Sequence, residues 1–278
     1  MKNNQYDVCV AYRIYPRVSK VPFIHQDNKF KLAQVGVETF KASLGTLKAK
    51  VFFILDNCPS EYETMILEYF NKEDIEFVRC NAEGNLATFG RQLDILLTQS
   101  LSEVVYFAED DYVYREDVMN NAISLLNNRS AHFVTLYDHL DSYTLDIHTM
   151  HRYKILLHEN VHWRTSASTC LTFLTTKETL RKTEKVLRSY CYGNWDSSLW
   201  FALTKFNVFD FLFAIKMLIK DRFYFKMLLL SWIKGWPQIV FGKKYILAQP
   251  IPSMATHMEK VAIAPGVDWQ KIVNAIDV

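Results

Sequence analysis

A chain of 278 residues has room for a substantial core, as one large domain or two small ones. Half of the residues are hydrophobic and 22% are charged, the balance of an ordinary folded protein and not of a disordered or fibrous one. A net charge of only +2 gives no electrostatic basis for binding nucleic acid.

The five cysteines (Cys9, Cys58, Cys80, Cys170 and Cys191) are odd in number, scattered, and without a CxxC pair, which argues against a zinc knuckle or a disulfide framework. Cys9, Cys80 and Cys170 lie in or beside β-rich runs, where a small buried thiol is expected. The opening MKNNQYDVCV has no apolar secretory core, so a reducing cytoplasm is the expected location.

In chain order, YDVCVAYRIY (6–15) reads as a first strand. KFKLAQVGVETFKASLGTL (29–47) places Leu32, Val35, Phe40 and Leu44 at helical intervals. AKVFFILDNCP (49–59) is a buried strand stopping at Asp56, Asn57 and Pro59. SEYETMILEYF (60–70) opens with Ser60 and has Glu63 three residues later, a capping-box pattern for a helix. A third strand is expected over 75–81, a helix over 85–100, a fourth strand over 103–111, a helix over 115–128 and a fifth strand over 131–138. This alternation predicts an α/β fold with a doubly wound, mostly parallel sheet flanked by helices. Ligands of such sheets bind at the carboxyl ends of the strands, so Asp56 and the run Glu109–Asp111 are expected to share one cleft.

The second half is less regular. A strand is expected over 168–176, with helices over 177–190 and from 194 to 206. Residues 209–236 are strongly apolar but interrupted by Lys216, Lys220, Asp221, Arg222 and Lys226, and no run reaches the roughly 18 residues of a membrane span. Eight Lys/Arg stand against two Asp between 205 and 244. Such a basic, aromatic segment suits either a membrane interface or a buried helical pair with snorkelling lysines.

The stretch VVYFAEDDYVY (104–114) carries the chemistry. Three adjacent carboxylates at a strand end repel one another and call for a positive species. Mg²⁺ or Mn²⁺, which bridge carboxylates to substrate phosphates, meets that need. Strand alternation would turn Glu109 and Asp111 to one face for the metal and Asp110 to the other, for a ribose or sugar hydroxyl. The alternative is a solvated acidic turn continued by Glu116 and Asp117.

With AEDD after a fourth α/β strand, the N-terminal half resembles glycosyltransferases of the GT-A fold, in the style of the large inverting family 2. The AEDD run (108–111) corresponds to that family's DxD-type motif. VAYRIYP (10–16), with Arg13, stands where the family's first strand leads into the nucleotide pocket, and FILDNCP puts Asp56 where an acid contacts base or ribose. NAEGNLATFGRQLD offers Asn85 and Arg91 in place of the family's N-x-G-x-A-x-x-R loop, with similar but not identical spacing. The resemblance implies a nucleotide-sugar donor bound by Arg13, Asp56, Asn85, Arg91 and Asp110, with Mn²⁺ or Mg²⁺ on Glu109, Asp111 and a C-terminal histidine, here His257. It also implies a catalytic base at a helix start, for which YGNWDSSLW supplies Asp196. Helix N-termini favour the carboxylate form, and Asp196 is also placed to cap its helix.

Two polar stretches, VTLYDHLDSY and HENVHWRTSAST, together with Trp195, offer Tyr137, Asp138, His139, His162, Trp163 and Trp195 as acceptor or sugar contacts. The expected organisation is a nucleotide-sugar half over 1–138, an acceptor and catalytic half over 139–204, a basic amphipathic helical segment over 205–245 and a closing segment over 246–278. The absence of a Q-x-R-W-type motif favours single addition over processive synthesis. The expected activity is transfer of one sugar to an acceptor hydroxyl with inversion, in surface-polysaccharide or lipid-linked glycan synthesis. Its site would be the cytoplasm, at the inner face of the plasma membrane if 205–245 touches lipid. A nucleotidyltransferase is the rival enzyme, weakened because RIYPRVSKVPF lacks glycine. A non-catalytic nucleotide- or sugar-binding protein of a membrane glycan complex is the rival from another class.

Overall fold

The computed structural model describes residues 5–18, 20–145, 148 and 152–276. Strand β1 (Val8–Ile14) is buried along its whole length, as a run of apolar residues must be when both faces of a sheet are covered. Val8, Val10 and Tyr12 enter one core cluster while Cys9 and Ala11 enter the other, the alternation of a pleated strand. β2 (Ala49–Asp56) and β4 (Val104–Glu109) flank β1, both parallel to it, and β3 (Ile75–Cys80) adds parallel to β2. Helices α1 (Lys29–Ser43), α2 (Glu61–Tyr69) and α3 (Gly84–Thr98) connect them. The chain thus winds outward from β1 to β3 and then returns to lay β4 on the other side of β1. The strand order reverses between β1 and β4, which opens a crevice at their carboxyl ends.

Beyond β4 the sheet continues with β9 (Phe173–Thr176), β6 (Phe133–Val134), β10 (Leu247–Ile251) and the hairpin β8 (Val161–Ser166) and β7 (Ile155–His158). Among the described residues it has nine strands, and only β8 and β9 run against the rest. The fold is therefore α/β with a mostly parallel central sheet flanked by helices. A small second sheet pairs β5 (Tyr112–Tyr114) with β11 (Ala255–His257), antiparallel. The other helices are α4 (Met119–Asn127), α5 (Asp141–Thr144), α6 (Lys177–Arg188), α7 (Asp196–Thr204), α8 (Phe211–Lys220), α9 (Arg222–Phe241) and α10 (Trp269–Asn274).

Several expectations need correction. The capping box at Ser60 does not form: the Ser60 side chain makes no cap bond, and Glu63 instead accepts from Arg79 Nε at 2.5 Å and Nη2 at 2.6 Å. The helix expected from residue 115 starts at Met119, because 112–114 are extended and paired with β11. The fifth strand shrinks to Phe133–Val134, and the strand expected from 168 starts at Phe173. Residues 158–169, a polar stretch given no secondary structure in the sequence, hold most of a hairpin whose turn is made by Glu159 and Asn160, with φ of 49° and 62°. Positive φ at both central positions marks a primed turn, which suits the right-handed twist of its strands. The apolar run 209–236 breaks at Asp221, whose carboxylate accepts from the Phe223 and Tyr224 N–H groups at 3.1 and 3.2 Å and so starts α9. Among the described residues no helix is long and apolar enough to cross a membrane.

Candidate active site

The crevice between β1 and β4 collects the acidic run, and each of its carboxylates meets a basic side chain. Arg13, near the end of β1, donates through Nη2 to Glu109. Lys29, the first residue of α1, lies 2.8 Å from Oδ2 of Asp110, which also accepts from the Tyr15 N–H at 3.3 Å. His257, at the end of β11, places Nε2 3.1 Å from Oδ2 of Asp111. Strand alternation was expected to send Glu109 and Asp111 to one face. That pattern does not carry through, because β4 ends at Glu109 and the two aspartates lie in the turn before β5.

Electrostatics separate the three acids. Burial pushes Asp110 up to about 6, against the pull of Lys29. Burial also works upward on Asp111, but His257, Lys29 and Arg13 outweigh it and hold that carboxyl below its ordinary value. The imidazole of His257 is raised in turn: the Asp111 and Glu109 carboxylates overcome the cost of burying its charge. Gly36 of α1 makes the arrangement possible, since a Cβ there would sit 3.0 Å from the Asp110 carbonyl oxygen and 3.1 Å from Tyr12 Oη.

Around this run lies a cavity of about 400 Å³, lined by Arg13, Arg17, Lys29, Asp56, Asn85 and Asp110 among others. Its volume falls in the range of small-molecule sites. Arg13 is fixed by the Asn85 carbonyl at 2.8 Å and Thr88 Oγ1 at 3.2 Å. The carboxylate of Asp56, at the end of β2, accepts from the Glu83 and Gly84 N–H groups at 2.8 and 2.9 Å. It therefore anchors the N-terminus of α3, which carries Asn85, to the sheet. Arg17 and Lys29 were not singled out in the sequence. Their signal was the basic loop between the first strand and the first helix.

These contacts leave few donors for a divalent cation. Asp111 fits: its Oδ1 is buried with no hydrogen-bond partner among the described residues. His257 stands beside it, its ring oriented by the Glu259 N–H, which donates to Nδ1 at 3.0 Å; a cation held by both would replace the contact between Nε2 and Asp111. Glu109 does not join them, because Arg13 and the Thr172 hydroxyl (2.9 Å) occupy its two oxygens. Among the described residues no group of three His, Cys, Asp or Glu side chains is arranged to hold a metal. One carboxylate with the remaining positions filled by water and phosphate is an ordinary arrangement for Mg²⁺, and an imidazole beside it would suit a softer ion better.

A second cavity, of about 160 Å³, carries Asp196 with His139, Asp141, Cys170, Trp195 and Phe223 in its wall. Asp196 is the first residue of α7, and its Oδ1 accepts from the Ser197 N–H at 2.6 Å. Burial raises its pKa, opposed by that hydrogen bond and reinforced by the Glu109 carboxylate, so the two cavities are electrostatically in touch. Cys170 lies between them, close enough for Asp196, Glu109 and Asp111 all to act on its thiol. Burial lowers the pKa of His139 and so favours its neutral form. Trp195 meets Phe223 edge-on at 5.4 Å between ring centroids, giving the cavity an aromatic wall.

The remaining expected contacts lie elsewhere. Trp163 is completely buried and cannot offer a face to a sugar. Tyr137 is buried too, its hydroxyl donating to the Ala262 carbonyl. Asp138 turns inward, accepting from Arg164 Nη2 at 2.5 Å, Tyr143 Oη at 2.5 Å and Gln249 Nε2 at 2.7 Å, so it ties α5 and β8 to β10. His162 is exposed on β8 and lines neither cavity. Arg91 is exposed and paired with Glu83, with Nε 2.9 Å and Nη2 2.6 Å from its carboxylate, outside the cavity.

No family model matches the chain, and no curated protein does. Solved structures resemble the chain at low identity and with TM-scores below 0.5. A galactosyltransferase, LgtC, in complex with donor and acceptor sugar analogues is 9% identical with a TM-score of 0.39, over 63% of this chain and 59% of that one. S. aureus TarS 1–349 is 11% identical with a TM-score of 0.43, over 66% and 55%. A nucleotide-diphospho-sugar transferase assigned by inference in Desulfovibrio desulfuricans G20 is 10% identical with a TM-score of 0.41, over 69% and 72%. The chain thus spans less than two thirds of the length of the first two.

Proposed function

We propose that this protein is a glycosyltransferase of GT-A type, akin to family 2, that moves a single sugar from a nucleotide-sugar donor to an acceptor hydroxyl with inversion. The observation that carries the reading is the presence of two cavities with complementary chemistry. One is a cleft at the strand-order reversal, with Arg13, Arg17 and Lys29 facing an acidic turn; the other presents a carboxylate at a helix start. A nucleoside diphosphate suits the first, because its negative oxygens meet fixed cations while its hydroxyls meet Asp110. Asp111 and His257 are the residues that would hold Mn²⁺ or Mg²⁺, and the ion would stabilise charge on the diphosphate as it leaves. Asp196, half-buried in its cavity and more basic than an ordinary carboxylate, would take the acceptor proton while the acceptor oxygen attacks the anomeric carbon. His139 and the Trp195–Phe223 wall would orient the acceptor.

Calorimetric titration with UDP, GDP, CMP and dTDP, each with and without Mn²⁺, tests the reading. One nucleotide is expected to bind, and to bind more tightly with metal. Asp111→Ala is expected to remove the metal-dependent part. If none of the four binds in either condition, the donor site is misassigned and the chain is not a nucleotide-sugar enzyme.

A further inference from the structure

Helices α8 and α9 carry an apolar surface that the rest of the chain does not cover. α8 buries only Phe213 and Met217 and leaves Phe211, Leu212, Ile215, Leu218 and Ile219 exposed. α9 has two apolar stripes. Met227, Ser231, Gly235 and Ile239 recur every fourth residue and are buried; Gly235 packs directly on Ala202 of α7. Leu229, Ile233, Trp236 and Val240 recur at intervals of four, three and four and are exposed on the far side, Ile233 at 67%. A helix on a protein surface needs one apolar stripe to pack and presents polar residues on the other. A second stripe, on the helix that packs against α8, is surface built for contact.

Its charge says with what. Asp210 and Asp221, the two acids between 205 and 244, are both engaged as helix caps: Asp210 accepts from the Phe213 N–H at 2.9 Å, and Asp221 from those of Phe223 and Tyr224. Arg222, Lys226, Lys234, Lys243 and Lys244 are exposed around the apolar stripes. Apolar and aromatic side chains ringed by lysine match a layer of acyl chains beneath anionic headgroups. A second copy of this chain is disfavoured, since a two-fold interface would set this basic rim against itself. The Asp196 cavity lies at the start of the same helix, since Phe223 in the first turn of α9 forms part of that cavity's wall.

We propose that the outer face of α8 and α9 docks on an anionic lipid surface, which puts the mouth of the Asp196 cavity at headgroup level and makes a lipid-linked glycan its acceptor. The acceptor clause rests on the transferase reading; the docking does not.

The test is flotation of the full chain with vesicles of phosphatidylcholine alone and of phosphatidylcholine with phosphatidylglycerol in equal parts. Co-flotation is expected with the anionic vesicles only, weakened by salt. The double variant Ile233→Glu/Trp236→Glu is expected to abolish it, and Lys226→Glu/Lys234→Glu to lower partitioning about tenfold or more. All these side chains are exposed, so both variants should fold and bind nucleotide as the unaltered chain does. A chain that binds nucleotide but never floats overturns the docking. So does a sedimenting dimer that Ile233→Glu dissociates, which would make the face an interface between copies. Flotation without binding of any nucleotide leaves the docking standing and removes the acceptor clause.

Discussion

Asp110 is a buried carboxylate and Asp196 a half-buried one in a cavity wall, and their surroundings give them different work. Asp110 is pinned by the Lys29 ammonium and the Tyr15 N–H and faces the larger cavity, the setting of a group that positions a ligand. Asp196 accepts from the Ser197 N–H and otherwise faces its cavity, the setting of a group that takes a proton. The sign of the pH effect follows. Burial raises Asp196, so its basic form is lost on acidification at a pH above the ordinary aspartate value near 3.9. Turnover is expected to fall along an acid limb displaced upward to that raised value. Asp196→Asn should cost about 10²–10⁴-fold in kcat, abolish the limb and leave nucleotide affinity unchanged. A steady-state pH profile of both forms, with calorimetry alongside, checks this. Near wild-type turnover in the variant would make Asp196 only the opening residue of α7.

At the scale of elements, two glycines set how closely helices approach what they serve. A Cβ on Gly36 would crowd the Asp110 carbonyl, and one on Gly235 would lie 2.7 Å from Ala202 Cβ, where α9 crosses α7. Gly235→Ala must therefore shift one helix against the other. A loss of about 1–3 kcal/mol is expected by chemical denaturation, with transfer impaired because α7 carries Asp196. Adding Ala202→Gly should restore most of both, a coupling that independent sites would not show. The first half of the chain was legible at this scale: its strands are buried runs ended by Asp, Asn and Pro, and its helices keep a 3.6-residue period. The turn at Glu159–Asn160 was not, because Asn in a left-handed conformation is a weak local signal beside a run of polar residues. Asp111, Asp196 and His257 stand out in the sequence as acids and an imidazole at element ends, and the structure pairs His257 with Asp111 and sets Asp196 in a cavity wall. Trp163 and Asp138 misled because composition marks a residue as sugar-compatible without saying which way it points. Lys29 and Arg17 were missed because a lysine opening a helix and an arginine in a basic loop look like ordinary surface charge.

For the whole molecule, the site joins segments far apart in sequence. Arg13 comes from β1, Asp111 from the turn after β4 and His257 from β11, whose pairing with β5 holds the closing segment over the crevice. A ligand gripping all three stabilises the entire fold, since the unfolded chain cannot bring them together. At a free concentration a hundredfold above Kd that linkage is worth about 2.7 kcal/mol, a rise in Tm of several degrees for a chain of this size. The rise with nucleotide plus Mn²⁺ is expected to exceed the sum of the rises with each alone, because the diphosphate supplies ligands the protein lacks. His257→Ala lowers the starting Tm by leaving Asp111 without its imidazole, so the shift and not the Tm is the readout. The variant should keep the increment from nucleotide alone, which depends on Arg13 and Lys29, and lose most of the extra increment from metal. Differential scanning fluorimetry over a matrix of nucleotide and Mn²⁺ concentrations measures both terms. An undiminished metal increment in His257→Ala would show that the cation, if one binds, is held without the histidine, leaving His257 as the hydrogen-bond partner that steadies Asp111.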